Sequence, residues 1–240
     1  MRIIVNGACG RMGREVIRLA GEAGHAIAGM VDTMANMPGV VTTFEECGEA
    51  DIIIDFSFHT AVKAVLDAAI ARNCAAVICT TGHTPEELTM IADAADKIPV
   101  FHSGNMSVGV ALLCRLANQT AKMFPEADVE IVEIHHKHKK DAPSGTAKML
   151  FNAVKDARPE AEMVCGRSGI CPRTPNEVGI ASLRMGEVVG IHEVHVSTGT
   201  QTITLKHEAH SRTLFAEGAI CAAEFLVGQA PGKYDMNSIL

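Results

Sequence analysis

No stretch of this 240-residue chain approaches the roughly 18 uncharged apolar residues that a membrane span requires, which leaves no candidate transmembrane helix. The first apolar run is broken at once by Asn6 and Gly7, too early for a signal peptide, so the expected location is the cytoplasm. The eight cysteines (9, 47, 74, 79, 114, 165, 171 and 221) include no CxxC pair and are scattered through apolar or helical segments. They read as buried free thiols of a reducing compartment rather than as a disulfide framework. A zinc site is not indicated either, because His135 and His136 are adjacent and no cysteine accompanies them, so no metal is expected. Positive charge is in deficit, with 21 Lys and Arg against 28 Asp and Glu, and a net charge of −7 argues against nucleic acid as a partner. Internal repeats and low-complexity segments are also missing. About half the residues are apolar, enough to bury the core of one large or two modest domains.

Against this acidic background one segment stands out. His135-His136-Lys137-His138-Lys139-Lys140 places three histidines and three lysines in succession, and Asp141-Ala142-Pro143-Ser144-Gly145-Thr146-Ala147 follows as a tight turn feeding a helix. A cation cluster at a helix N-terminus suits a small anion, since the helix dipole and first-turn N–H groups both favour negative charge. Histidines and a lysine beside that anion are candidate proton donors. The alternative is a solvated basic turn.

The N-terminus argues for a ligand. Arg2-Ile3-Ile4-Val5-Asn6 has a strand's composition, Gly7-Ala8-Cys9-Gly10-Arg11-Met12-Gly13 follows, and Val16, Ile17, Leu19 and Ala20 then recur at helical spacing. Glycines between strand and helix are the setting of a dinucleotide-binding turn, here spaced GxxGxxG. Gly7 permits the turn, Gly10 lets the backbone approach a pyrophosphate, and Gly13 lets helix and strand pack closely. A second strand over 26–31 ends at Asp32, about 20 residues beyond the turn, where an acid binds ribose hydroxyls. The competing reading is a glycine-rich turn with a surface aspartate.

Strand and helix alternate through the first hundred residues: strands over 51–56, 75–79 and 98–102, with helices over 60–72 and from Thr84-Pro85-Glu86-Glu87 onward. Such alternation predicts an α/β fold with a parallel, doubly wound sheet and a ligand outside the strands' carboxyl ends. By that rule Asp55-Phe56-Ser57, Cys79-Thr80-Thr81-Gly82 and Ser103-Gly104-Asn105-Met106 line the cofactor crevice. The pattern changes near residue 107. A long helix over 108–123, a strand over 129–134, the basic cluster and a helix over 144–157 come first. A β-rich tract follows (178–184, 188–196, 201–207), in which Thr202-Ile203-Thr204-Leu205 alternates cleanly, so an antiparallel sheet with one exposed or subunit-covered face is expected. A last helix covers 213–227.

Together these motifs resemble the 4-hydroxy-tetrahydrodipicolinate reductase (dihydrodipicolinate reductase) family almost end to end. The glycine turn, Asp55-Phe56-Ser57, Thr80-Thr81-Gly82 and Asn105-Met106-Ser107-Val108-Gly109 carry the first half. Glu133-x-His135-His136-x-x-Lys139-x-Asp141-Ala142-Pro143-Ser144-Gly145-Thr146-Ala147, Gly190-x-His192, Ser211-Arg212-x-x-Phe215 and Gly232-x-Tyr234-Asp235-Met236 carry the second. The resemblance implies a Rossmann domain (1–106 and 213–240) with an inserted α+β domain (107–212) that binds substrate and assembles a homotetramer. It implies reduction of a small cyclic imine dicarboxylate by NADH or NADPH in lysine and diaminopimelate biosynthesis. His135 is then the proton donor and acceptor and Lys139 the second donor, while His136 and the Gly145 and Thr146 backbone N–H groups clamp a substrate carboxylate. In a fully extended strand His135 and Lys139 would lie about 13 Å apart at roughly 3.3 Å per residue, so the chain must bend between them. Lys137, His138 and Lys140 receive no role. Arg212 either reaches the substrate or anchors the last helix, with the structural role slightly favoured. Cys79, Met106 and Ser103-Gly104 depart from the family's usual residues near the nicotinamide.

Two rival functions stand beside this one: another Rossmann-type amino-acid dehydrogenase, and a catalytically silent NAD-binding relative. The Glu-x-His-His block argues against the first, and retention of His135 and Lys139 against the second. For the cofactor, Asp32 followed by Thr33, Met34 and Ala35 offers no cation to a 2′-phosphate, although Arg11 or Arg14 could swing toward it. Dual use with NADH preferred is expected.

Overall fold

The structure, a computed structural model, describes all 240 residues. The chain forms two compact units, one of Met1–Ser107 with Thr213–Leu240 and one of Val108–Arg212.

The first unit is built on strands β1 (Arg2–Asn6), β2 (Ala26–Val31), β3 (Val40–Val41), β4 (Ile52–Asp55), β5 (Ala75–Ile78), β6 (Pro99–His102) and β12 (Gly232–Tyr234). They form one sheet in the order β12-β6-β5-β4-β1-β2-β3, with every pairing parallel. Parallel strands need crossover connections, which α1 (Arg11–Glu22), α2 (Val62–Ala71) and α3 (Pro85–Ala95) provide. Such a sheet is buried on both faces, which is why Ile52-Ile53-Ile54 reads as a continuous apolar run. Ile4, Ile53, Ile78 and Val100 pack under α2 and α3 with Val65, Leu66 and Ile91. Helix α6 (Thr213–Leu226) packs beside α1 and on β4, β5 and β6, its Ala216, Ala219 and Ala223 fully buried. Helix α3 starts as its sequence predicts: the Thr84 side chain accepts from the Glu87 N–H, the Glu87 carboxylate accepts from the Thr84 N–H, and Pro85 holds the first helical position. Strand order reverses between β1 and β4, so the crevice lies at their carboxyl ends.

The second unit contains α4 (Val108–Met123), β7 (Asp128–His135), α5 (Gly145–Ala157), β8 (Glu162–Cys165), β9 (Glu177–Arg184), β10 (Gly190–Ser197) and β11 (Thr202–Ala209). Its sheet has the order β11-β10-β7-β9-β8. The expectation of an antiparallel sheet is corrected here: β10 pairs antiparallel with β11 and β7, but β7 with β9 and β8 with β9 are parallel. The cause is connectivity. A four-residue turn closes the β10–β11 hairpin, whereas α5 carries the chain across between β7 and the β8–β9 pair. Helices α4 and α5 cover one face, where Leu113, Leu150, Phe151 and Val154 meet Ile131, Ile180 and Val194. On the opposite face Val132, Ile134 and Ile191 stay half-buried and Leu183 is exposed.

Candidate active site

At the end of β1 the three glycines are required by space. Gly7 has φ +78°, and a Cβ there would lie 2.7 Å from the Phe56 carbonyl oxygen. A Cβ on Gly10 would lie 3.1 Å from the Gly7 carbonyl oxygen, and one on Gly13 only 2.2 Å from it. The turn is therefore clamped between β4 and the first turn of α1. Gly10 caps α1 without a side-chain hydrogen bond, so the N-terminus of the helix suits an anion. Ala8 is buried beneath the turn. Asp32 accepts from the Cys9 N–H at 2.9 Å and the Met34 N–H at 3.1 Å, which fixes its carboxylate beside the turn. Arg14 is tied by its Nε to the Cys9 carbonyl at 3.0 Å, while Arg11 is exposed.

The neighbouring strand ends supply a polar cluster. Asp55 is fully buried and accepts from Asn6 Nδ2 at 2.8 Å and from the Ser57 N–H at 3.0 Å and hydroxyl at 2.5 Å. Burial pushes its carboxyl up, against the hydrogen bonds from Ser57, Asn6 and Thr80. Thr80 is buried and reaches His83 Nε2 at 3.1 Å; Thr81 is exposed, and its methyl lies 3.3 Å from where a Cβ on Gly104 would sit. Cys79 is buried with its sulfur 4.0 Å from the Val77 carbonyl oxygen, and burial pushes the thiol well up. Its side chain is thus buried just beyond the end of β5. Ser103 accepts from the Asn105 N–H at 3.2 Å, and Met106 is buried with its carbonyl where a Cβ on Gly218 would fall. The residues expected to line the crevice lie at the carboxyl ends of β1, β2, β4, β5 and β6 and in the first turn of α1.

In the second unit the basic cluster is divided by its own geometry. Strand β7 ends at His135, a turn follows with the Lys139 N–H on the His136 carbonyl at 3.1 Å, and the chain bends as the spacing of His135 and Lys139 demanded. His135 is buried, with Nδ1 on the Glu133 carboxylate in a short contact. Burial lowers the imidazole's pKa and Glu133 opposes this, while the Lys139 and Arg184 charges lower it further. Lys139 is mostly covered and pairs with Asp141 at 2.9 Å. His136 has a buried Nδ1 without a partner and its Nε2 3.5 Å from Arg212, so Arg212 meets the cluster rather than only the last helix. A buried ring nitrogen with no partner is a place for a ligand atom. Lys137 and His138 are exposed near Glu187, and Lys140 is exposed. Helix α5 is capped by Ser144, whose hydroxyl accepts from the Ala147 N–H at 3.1 Å, which places Gly145 and Thr146 at the first two helical positions.

Three residues around this cluster have roles that the sequence did not assign. Glu133 has no exposed surface and takes Arg184 through two contacts of 3.0 and 2.9 Å and the Ser144 N–H at 3.2 Å. Its position two residues before His135 on a strand puts both on one face, a signal that was available. Arg184 reaches it from β9, 51 residues away, with no local signal. His192 on β10 is buried, with its ring 5.0 Å from that of His135 and its Nε2 3.1 Å from the Ser144 hydroxyl. Donor atoms of Glu133, His135 and His192 lie within 4.8 Å of one another. Both Glu133 oxygens are already engaged by Arg184, Ser144 and His135, and a cation there would face the guanidinium, so the arrangement suits proton handling better than metal binding.

Comparisons with known proteins show the family and the fold. Residues 1–106 match the profile described as dihydrodipicolinate reductase, N-terminus, and residues 109–240 that of dihydrodipicolinate reductase, C-terminus. The chain is 41% identical to the 4-hydroxy-tetrahydrodipicolinate reductase of Caldanaerobacter subterraneus subsp. tengcongensis, over 100% of this chain and 98% of that protein. It is 39% identical to the enzyme of the same name from Brachyspira hyodysenteriae, over the whole of both. Among solved structures, the dipicolinate-bound dihydrodipicolinate reductase from Paenisporosarcina sp. TG-14 shares the fold with a TM-score of 0.86 at 23% identity, covering 99% of this chain and 98% of that one.

Proposed function

The chain belongs to the dihydrodipicolinate reductase family, and from that premise we propose that it reduces 4-hydroxy-tetrahydrodipicolinate to tetrahydrodipicolinate with loss of water, using NAD(P)H, in lysine and diaminopimelate biosynthesis. The first unit suits the dinucleotide. Its glycine cradle leaves no room for a Cβ, the N-terminus of α1 has no side-chain cap, and Asp32 stands beside the turn. Residues Gly7 to Gly13, Asp32, Cys79 to Thr81 and Ser103 to Met106 would hold it. When bound, the reduced nicotinamide supplies a hydride to C4 of the substrate ring.

The second unit handles carboxylate and proton. His136 and the Gly145 and Thr146 N–H groups at the start of α5 clamp a substrate carboxylate, where the helix dipole favours negative charge. His135 gives its proton from Nε2, because Nδ1 is committed to Glu133. Glu133 stabilises the imidazolium form against burial, so the ring can protonate the enamine that reduction creates. Lys139 is the second donor. The observation that carries this reading is the buried Glu133–His135 pair joined through Ser144 to the cap of the carboxylate-binding helix.

Three finer statements belong to the same proposal. NADH is preferred over NADPH, because Asp32 faces a 2′-phosphate with no neighbouring cation and Arg14 is held on the Cys9 carbonyl. The open face of the second unit's sheet, with Val132, Ile134 and Ile191 half-buried, supports assembly as a homotetramer. No helix is long and apolar enough to cross a membrane. All eight cysteines are free thiols, which supports a reducing cytoplasm, but the expectation that they are buried is corrected: only Cys74 and Cys79 are, and Cys165 and Cys171 are exposed.

The test is turnover with enzymatically generated substrate. His135→Ala and Lys139→Ala should each lower kcat by roughly 10²- to 10⁴-fold with NADH binding intact. Dipicolinate, a planar dicarboxylate, should inhibit competitively with substrate. Retention of more than about a tenth of wild-type turnover by both variants overturns the assignment.

A further inference from the structure

Ser144 is held at both ends. Its N–H donates to Glu133 at 3.2 Å, and its hydroxyl accepts from the Ala147 N–H at 3.1 Å and lies 3.1 Å from His192 Nε2. All of these groups are buried: Ser144 is 2% exposed, His192 4% and Glu133 0%. Counting protons decides their direction. If His192 Nε2–H donated to the hydroxyl, both the serine proton and His192 Nδ1 would lack a partner. If the serine hydroxyl donates to Nε2, only the Nδ1–H is left without one, and His192 Nδ1 is indeed unpartnered. The second arrangement wastes fewer buried groups and therefore prevails.

We propose that His192 is a positioning residue of the carboxylate clamp: it accepts the Ser144 hydroxyl proton and so obliges that oxygen to present a lone pair to the Ala147 N–H. This rests on the reading of α5 as the carboxylate-binding helix. The consequence is a fixed register. The third helical amide is consumed by the cap, and the two before it, Gly145 and Thr146, are the ones presented to the substrate. A serine hydroxyl without its acceptor is free to rotate toward the arriving carboxylate or an earlier amide, which shifts the anion's site along the helix. His192 suits the task because it stays neutral: burial pushes its pKa down to about 3, with the His135 charge acting in the same direction. Its ring lies edge against face with His135 at 5.0 Å and 72°, so one imidazole contacts both the proton donor and the cap.

The experiment compares dipicolinate inhibition and substrate KM in the full-length protein. His192→Leu and Ser144→Ala should each raise the dipicolinate Ki and the substrate KM together by about tenfold, in the range that losing a helix cap produces. The NADH KM should not move, and the double variant should be no worse than the poorer single one. His192→Gln, which returns an acceptor near the Nε2 position, should stay within about threefold of wild type. A merely structural role would disturb NADH and dicarboxylate binding alike. A Ki within about twofold of wild type in Ser144→Ala overturns the proposal even if His192→Leu fails to fold, and so does a multiplicative double variant. If the wild type is inhibited by dipicolinate and the variants equally so, only the role of His192 falls. If the wild type neither turns over the substrate nor binds dipicolinate, the functional reading falls with it.

Discussion

Glu133→Gln keeps the shape of the side chain and removes its charge, so it separates electrostatics from packing at the centre of the site. Burial by itself would raise the Glu133 carboxyl, but hydrogen bonds from Arg184, Ser182 and His135 outweigh it and hold the group down to about 2. The drop from the ordinary 4.5 corresponds to roughly 3 kcal/mol. Because the folded-state value is depressed, this contribution is complete above about pH 5 and is lost as pH falls toward 2. A second route gives a similar figure. Removing one partner of a buried ion pair costs about 3–5 kcal/mol, and Arg184, with 20% of its side chain exposed, belongs at the lower end. Glu133→Gln should therefore lower Tm at pH 7 by about 6–12 °C, a gap that narrows below about pH 4.5 where the wild type loses the same interaction. Its catalytic effect has a definite sign as well. Glu133 raises the His135 pKa against burial, so its loss lowers that pKa further and shrinks the imidazolium fraction. The fall of kcat with rising pH should move to lower pH, and kcat at pH 7 should drop by about 10²-fold. Tm is read by calorimetry and kcat by NADH oxidation across pH 5–9. An unmoved pH limb with kcat within about threefold of wild type would refute the role given to this carboxylate.

Asp32→Ala should narrow or reverse the preference for NADH, which in the wild type is expected at about 10- to 100-fold in kcat/KM, or roughly 1.4–2.8 kcal/mol. Equal or better use of NADPH by the wild type would point to Arg11 or Arg14 as the phosphate's partner. Val132→Asp places a second carboxylate beside Glu193, its cross-strand neighbour on the open face of the sheet, and should dissociate the proposed homotetramer. Light scattering that still shows four chains per particle, with the variant folded, would remove that face from the assembly.

Some of this molecule is local enough to be written in consecutive residues. The GxxGxxG turn is one case: Gly7 needs a positive φ and Gly13 a missing Cβ, and both demands arise within a few residues of each other. The Thr84 and Ser144 caps are others, since an oxygen that accepts from an amide three residues on makes a signal of fixed spacing. The shared face of Glu133 and His135 also follows from strand periodicity. Tertiary structure decided the rest. The second unit's sheet is mixed because α5 forces a crossover between β7 and the β8–β9 pair, and side-chain alternation is the same in parallel and antiparallel strands. That parallel register pairs His135 with Arg184, bringing a guanidinium from a distant strand onto Glu133 and holding its carboxyl ionised. Antiparallel pairing of β10 with β7 sets His192 opposite Glu133 and within reach of Ser144. The sequence by itself determined which residues could donate a proton or clamp an anion. Which of them are buried, paired and aimed depended on strand order, because burial and ion pairing are properties of neighbours far apart along the chain.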